Sequence, residues 1–283
     1  MTLTAASNHA RPGKDSRFAA AAGAARALPR RRAAHFRASK RAVNPPGDRG
    51  LTPRRTLATL PHLMTQTIPG GFLLALEGID GAGKSVQARA VGAALEARGL
   101  GVVLTHEPTR GPWGRLLRES ATRGRLAPAE ELEAFLKDRE QHVREVIRPG
   151  LAAGRVIITD RYYFSTVAYQ GARGLDPAEL LRRNEAFAPE PHLLVLLDLD
   201  PAAGRARIGQ RDGRTNQFEQ LAELERVRAI FLSLQKPYLL RLDATRPAAE
   251  LTAEILAAVD RALSARGLSP ACEAAADARD AGA

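Results

Sequence analysis

The sequence predicts an α/β fold: one five-stranded parallel sheet, helices on both faces, and a ligand edge beyond the strand C-termini. Three observations predict it. Five short apolar runs alternate with helical segments, and such alternation returns each strand to one parallel sheet through right-handed crossovers. The first run, Phe72–Leu76, passes into Gly78-Ile79-Asp80-Gly81-Ala82-Gly83-Lys84-Ser85, a complete G-x-x-x-x-G-K-S that opens a helix. Later runs end in His106-Glu107-Pro108, Asp160-Arg161 and Asp198, where sheets of this kind place their sites.

Taken in order, Phe72–Leu76 is unbroken in its apolarity, as a strand buried on both faces requires. A helix follows from Lys84 to Arg98, with Gly99 where a C′ glycine belongs. Leu100–Thr105 is the second strand, and Pro and Gly make a loop of 106–112. Trp113–Thr122 has helical spacing with Arg115 and Arg118 on one face. Pro128–Pro149 reads as one long amphipathic helix, its apolar positions including Leu132, Phe135, Leu136, Val143 and Ile147. Arg155–Thr159 is the third strand, and Ser165–Gly174 a short helix and loop. Asp176 and Pro177 are N-cap and N1 of a helix running to Phe187. His192–Leu197 is the fourth strand, and Pro201–Ile208 a helix. Gln210–Gln217 is polar, Gly-bearing and basic, and reads as a short mobile lid. A helix over Phe218–Leu234, a strand over Tyr238–Leu242 and a closing helix over Pro247–Arg266 complete the domain, expected at 71–266.

The ends differ from this domain in composition. The net charge is +11, but residues 1–70 hold 13 Lys/Arg and 2 Asp/Glu, which accounts for all of it. The domain itself is balanced. Segment 1–70, rich in Ala, Arg, Pro and Gly, reads as a disordered basic extension, and 267–283 as a disordered tail. Three readings of the extension stand: a nucleic-acid arm, an organellar transit peptide, or an upstream reading of a frame whose translation starts at Met64. Nucleic acid is a partner only if that arm is made. One cysteine, Cys272, excludes an intrachain disulfide and fits a reducing cytoplasm. No apolar run reaches the roughly 18 residues of a membrane span.

The glycine loop is a phosphate cradle by its chemistry. Its glycines let backbone N–H groups curl around phosphate oxygens, and the helix end adds positive potential. Lys84 reaches β/γ-phosphates, and the Ser85 hydroxyl suits Mg²⁺. Asp160, at a strand end, is placed as the carboxylate that holds Mg²⁺ through water; the alternatives are a helix cap or a pair with Arg161. Arg161 can bridge two phosphates. Arg207, Arg211 and Arg214 crowd the lid, where they supply positive charge and exclude water. Phe135 and Arg139 share a helix face, and by spacing alone are a core residue beside a surface arginine. The residues themselves leave open a nucleotide kinase of any acceptor and a non-catalytic ATP-binding module.

From Phe72 to Arg266 the chain resembles the thymidylate kinases. The stretches that carry the resemblance are LEGIDGAGKS at 76–85, EP at 107–108, the DRxxHVxxxIxPGL-like run at 138–151, TDRYYFSTVAYQGARG at 159–174, and the lid arginines. The resemblance implies a P-loop kinase fold and transfer of the ATP γ-phosphate to dTMP with Mg²⁺, in a cytoplasmic homodimer. It implies that Gly78, Ile79, Asp80, Gly81, Ala82, Gly83, Lys84 and Ser85 bind ATP, with Arg205 and Thr245 beside adenine. For dTMP it implies Asp80 on the 3′-hydroxyl, Phe135 stacked on thymine, and Arg139 on its O4 edge. Arg161, Arg118 and Arg110 fall to the monophosphate, and Ser165, Tyr169 and Gln170 to the base and sugar pocket. Lys84, Asp160, Arg161, Arg207, Arg211 and Arg214 would be catalytic, and Ser85 and Asp160 would hold the metal. Val86, His106, Thr109-Arg110 and Asn216 depart from the family pattern.

Overall fold

The computed structural model describes residues 66–208 and 217–268. Strands β1 (Phe72–Glu77), β2 (Val102–His106), β3 (Val156–Asp160), β4 (Leu193–Asp198) and β5 (Leu239–Asp243) form one parallel sheet in the order β2-β3-β1-β4-β5. The five expected strands are present, each within two residues of its expected bounds. β1 lies at the centre, between β3 and β4. Register places Leu76 beside Asp160 and Val195, and His106 beside Asp160. The glycine loop, Asp160 and the 106–108 loop therefore leave the sheet at one edge.

The core explains that order. Every residue of β1 is buried, as is nearly all of β3 and β4, whereas the edge strands β2 and β5 are half-buried. Each fully buried Leu, Ile, Val or Phe contributes about 1.5–3 kcal/mol, so the central strands supply most of the sheet's stability. The helices α1 (Lys84–Ala97), α2 (Pro112–Arg123), α3 (Pro128–His142), α4 (Arg148–Ala152), α5 (Tyr163–Ala172), α6 (Pro177–Glu185), α7 (Pro201–Ile208), α8 (Gln217–Ser233) and α9 (Ala248–Ser264) cover it. At the start of α6, Asp176 accepts the Ala178 N–H at 3.0 Å, as a cap should.

Three expectations need correction. The long helix expected over Pro128–Pro149 is α3, a π-helical segment Val143–Ile147, and α4. Pro149 has no N–H to return to the preceding turn, and the wider π turn absorbs that mismatch without ending the helical path. Residues 66–70, expected in the extension, belong to the domain: Gln66 N–H donates to Gly99 O at 2.8 Å, Ile68 N–H to Gly154 O at 2.7 Å, and Ile68 is buried. At the other end, Gly267 (φ 71°) and Leu268 close α9, with Leu268 N–H donating to Leu263 O at 3.1 Å. The rest of both expected termini, Met64 included, lies outside the described residues, as do lid residues 209–216 with Arg211 and Arg214.

Candidate active site

The cradle is built from backbone. Gly78 leaves β1 with φ 137°, and a Cβ there would lie 2.4 Å from the Leu197 carbonyl oxygen. A Cβ on Gly81 (φ 83°) would lie 2.4 Å from the Gly204 carbonyl oxygen. Only glycine fits these contacts, and the second one seats α7 directly on the loop. Gly83 begins α1 without a side-chain cap, which leaves first-turn N–H groups to a phosphate. Lys84 is buried and donates from Nζ to Ile79 O at 2.8 Å across the loop. Burial pushes its ammonium down to about 8, and the nearby Arg161 adds to the effect.

At the mouth of the cradle the Ser85 hydroxyl donates to Asp160 Oδ2. Asp160 thus faces the cradle and does not pair with Arg161, which instead bonds Asp80 at 2.7 Å. Arg207, on α7, reaches Gly81 O at 3.4 Å and lines the same cavity as Lys84 and Ser85. Arg205 lies on α7 as well. The Thr245 N–H and hydroxyl bond Asp243 Oδ1 at 2.9 and 2.7 Å, shaping the turn after β5. That turn is joined to the end of β4 by Ala244 N–H and Asp198 O at 2.8 Å.

A second cleft, of about 400 Å³, lies beside the cradle and shares Asp80, Glu107 and Arg161 with it. Phe135, Arg118, Arg139, Ser165 and Tyr169 also line it. Arg118 is tied to Pro108 O at 2.8 Å. Arg161 donates to Ser165 Oγ at 2.9 Å, and its guanidinium stands 5.2 Å from the Tyr169 ring centre. The spacing-based reading of Phe135 and Arg139 is reversed. Phe135 is only partly buried and forms a wall of the cleft, while Arg139 is 1% exposed.

Arg139 tolerates burial because four of its five N–H donors are satisfied. It gives Nε and Nη2 to Glu107 Oε2 at 2.9 and 2.6 Å, Nη2 to Thr166 Oγ1 at 3.1 Å, and Nη1 to Asn184 Oδ1. Burial alone would raise the Glu107 carboxyl, but Arg139 and the His142 contact outweigh it and hold the group below the usual carboxylate range. His142 bridges Glu107 Oε1 at 2.9 Å and Thr105 Oγ1 at 2.7 Å. The ring thus ties the buried carboxylate to the end of β2.

Two of the expected acceptor residues are placed elsewhere. Gln170 is fully buried behind the cleft, where its amide donates to Glu131 Oε2 at 2.6 Å. Arg110 is exposed and lines a neighbouring groove with His106 and Glu145. Its loop is fixed by Thr109, whose N–H and hydroxyl donate to Asp138 at 2.7 and 2.6 Å. Sequence reasoning missed Glu77, Glu107, His142, Thr166 and Asn184. Glu77 carried a signal: a carboxylate between a fully apolar strand and the glycine loop has no business in a core without a task. It is fully buried, and burial pushes its carboxyl up to about 7.

The arrangement can hold two phosphates side by side. Backbone N–H groups, Lys84 and Arg207 surround one such place, and Arg161, whose planar fork can bond oxygens of two phosphates, borders the other. The oxygen pair of Ser85 and Asp160 suits a hard divalent cation that takes its remaining ligands from phosphate and water. No group of three or more His, Cys, Asp or Glu able to form an all-protein metal cage occurs among the described residues.

Comparison with known proteins gives a consistent result. The family model described as Thymidylate kinase matches residues 76–255. A protein named Thymidylate kinase from Xanthomonas campestris pv. campestris (strain B100) is 50% identical over 198 residues, 70% of this chain and 87% of that one. Its namesake from Xylella fastidiosa (strain M12) is 48% identical over 201 residues, 71% of this chain and 92% of that one.

Proposed function

The chain belongs to the thymidylate kinase family and phosphorylates dTMP, and from that premise we propose that ATP is the donor, bound in the Gly78–Ser85 cradle, with dTMP in the adjoining cleft. The observation that supports this most is the shared wall. Asp80 and Arg161, joined at 2.7 Å, face both cavities, so donor and acceptor phosphates meet where the two side chains stand. Phe135 then stacks on thymine, the remaining Nη1–H of Arg139 bonds its O4, and Tyr169 crowds a ribose 2′-hydroxyl. Arg118 and Arg161 take the monophosphate, and Asp80 the 3′-hydroxyl.

The reaction needs positioning and charge rather than covalent help. A dTMP phosphate oxygen attacks the γ-phosphorus in line, and ADP leaves. Lys84, Arg161 and Arg207 face the charge that spreads over the transferred group, and α7 holds Arg207 at the same cavity as Lys84 and Ser85. Mg²⁺ would be held by the Ser85 hydroxyl, and by Asp160 through water, and would neutralise the β- and γ-phosphates. The single cysteine and the family resemblance support a cytoplasmic homodimer; among the described residues no helix is long and apolar enough to cross a membrane. No observation favours another acceptor or a non-catalytic role.

The test is ADP release with ATP and Mg²⁺ against dTMP, dUMP, dGMP and dCMP. The expected result is the highest kcat/KM for dTMP. ATP binding without dTMP-dependent ADP release would overturn the reading.

A further inference from the structure

We propose that Glu77 is a positioning residue for the acceptor phosphate: its buried carboxylate clamps the first turn of α5 and so fixes the guanidinium of Arg161. The inference rests on the reading above that Arg161 binds that phosphate. Arg161 has φ 71°, the left-handed region that a non-glycine residue enters only at a cost, and it is the only such residue among those described. Something must hold it there. Its own N–H donates to Leu76 O at 2.9 Å. The next peptide is pinned at both ends: the Arg161 carbonyl accepts the Thr159 hydroxyl at 2.7 Å, and the Tyr162 N–H donates to Glu77 Oε1 at 2.8 Å.

The same carboxylate reaches further into α5. Oε1 also accepts the Ser165 N–H at 3.0 Å, and Oε2 accepts the Ser165 hydroxyl at 2.6 Å. Tyr162, the residue before α5, offers no side-chain cap of its own. Glu77 acts as that cap from a different element, its carboxyl oxygens accepting where a helix N-terminus offers free donors. The hydroxyl bond has a direction. Ser165 has one proton, and it goes to Glu77; its lone pairs are then turned to Arg161, whose Nη1 donates to Oγ at 2.9 Å. Glu77 therefore holds Arg161 twice, through the backbone and through the Ser165 hydroxyl, without touching substrate.

Glutamine at 77 keeps the volume and one carbonyl oxygen for the amides. Its NH₂ faces Ser165 Oγ as a donor, however, and competes with Arg161 for the same lone pairs. The experiment is steady-state kinetics of the full chain for Glu77→Gln, Ser165→Ala and Arg161→Ala, with each substrate varied in turn. Glu77→Gln is expected to raise the KM for dTMP about tenfold while the KM for ATP stays within about twofold. A purely structural role would lower the Tm and the amount of active enzyme, leaving both KM values unchanged; that outcome overturns the proposal. Should Glu77→Gln fail to fold, Ser165→Ala decides, because it retains both amide bonds to Glu77 and loses only the hydroxyl. A several-fold rise in its dTMP KM is expected, and wild-type dTMP kinetics would overturn the proposal. Arg161→Ala separates the two readings: if it leaves dTMP kinetics intact, the assignment of Arg161 has failed, whereas a crippled Arg161→Ala beside a normal Glu77→Gln refutes Glu77 alone.

Discussion

The cradle and the acceptor cleft share Asp80 and Arg161, yet they are made from different materials. The cradle is one continuous stretch, 78–85, shaped by glycines whose backbone lies against Leu197 and Gly204. The cleft is assembled from side chains on α2, α3, α5 and the loops that follow β1, β2 and β3, and its two key arginines are each steadied by a buried carboxylate: Glu107 on Arg139, and Glu77, through Ser165, on Arg161. A cradle of backbone groups recognises what every nucleotide has, its phosphates. A cleft of side chains can choose one base, and it needs an ordered interior to keep its donors in place. The comparison predicts that damage to the cradle falls on chemistry with any acceptor, whereas damage to the buried carboxylates falls on dTMP.

The largest effects should come from the charges at the junction. Lys84→Ala and Arg161→Ala are each expected to lose on the order of 3 kcal/mol or more of transition-state stabilisation in kcat/KM. Near-normal turnover in either variant would break the assignment of that residue. The comparison is sharpened by which substrate's KM moves: ATP for Lys84, dTMP for Arg161.

Next in size is Glu107→Gln. Removing one partner of a buried pair leaves the other charge uncompensated, and here the stranded group is Arg139, so unfolding free energy should fall by about 3 kcal/mol. Urea denaturation measures that loss. The KM for dTMP should rise with the KM for ATP unchanged, and an equal rise in both would show that Glu107 supports the whole fold rather than the cleft.

These two regions also differ in how far they could be read in advance. Eight consecutive residues with a strand before and a helix after define the cradle, and the structure places them as expected, because a backbone site needs only local order. The five strands were legible for a similar reason: runs such as Phe72–Leu76 are apolar without interruption and have only the sheet interior to go to. Arg139 was not legible from spacing. Its partners lie 32 residues away at Glu107 and 45 away at Asn184, and nothing within one helix turn reports them. Gln170 was assigned by resemblance alone, and a motif match does not separate a residue that faces the cleft from one buried behind it. Glu77 was overlooked although it stood beside the motif, since a motif names the residues that touch phosphate and not those that hold them.

Glu77→Gln separates stability from function through pH. The folded-state value of about 7 lies above the ordinary 4.5, so between these values the folded protein keeps a proton that the unfolded chain has lost. Wild-type stability from this group is full below pH 4.5 and declines until the carboxyl ionises near pH 7. The decline should amount to about 3 kcal/mol. Glutamine does not titrate. The stability of Glu77→Gln relative to wild type, read from urea midpoints, should therefore improve from pH 4.5 to pH 8 while its dTMP kinetics worsen. A constant difference across that range would show that Glu77 is not held near neutral by burial.

The smallest effect tests the cradle's contact with α7. A Cβ added at Gly204 would lie 2.7 Å from the Asp80 carbonyl oxygen and 3.1 Å from Ile79 Cδ1. The first of these is backbone and cannot rotate away, so Gly204→Ala must lift α7 off the loop. Overpacking of this sort costs about 1–3 kcal/mol. Because α7 carries Arg207 to within 3.4 Å of Gly81 O, the KM for ATP should rise and kcat fall, alongside a small drop in the urea midpoint that matches that loss. The KM for dTMP should hold, since Arg161, Phe135 and Arg139 are anchored by β1, α3, α5 and α6 rather than by α7. A shift confined to dTMP would mean that Asp80, and not Arg207, is what α7 positions, and the division between a backbone cradle and a side-chain cleft would have to be redrawn at that residue.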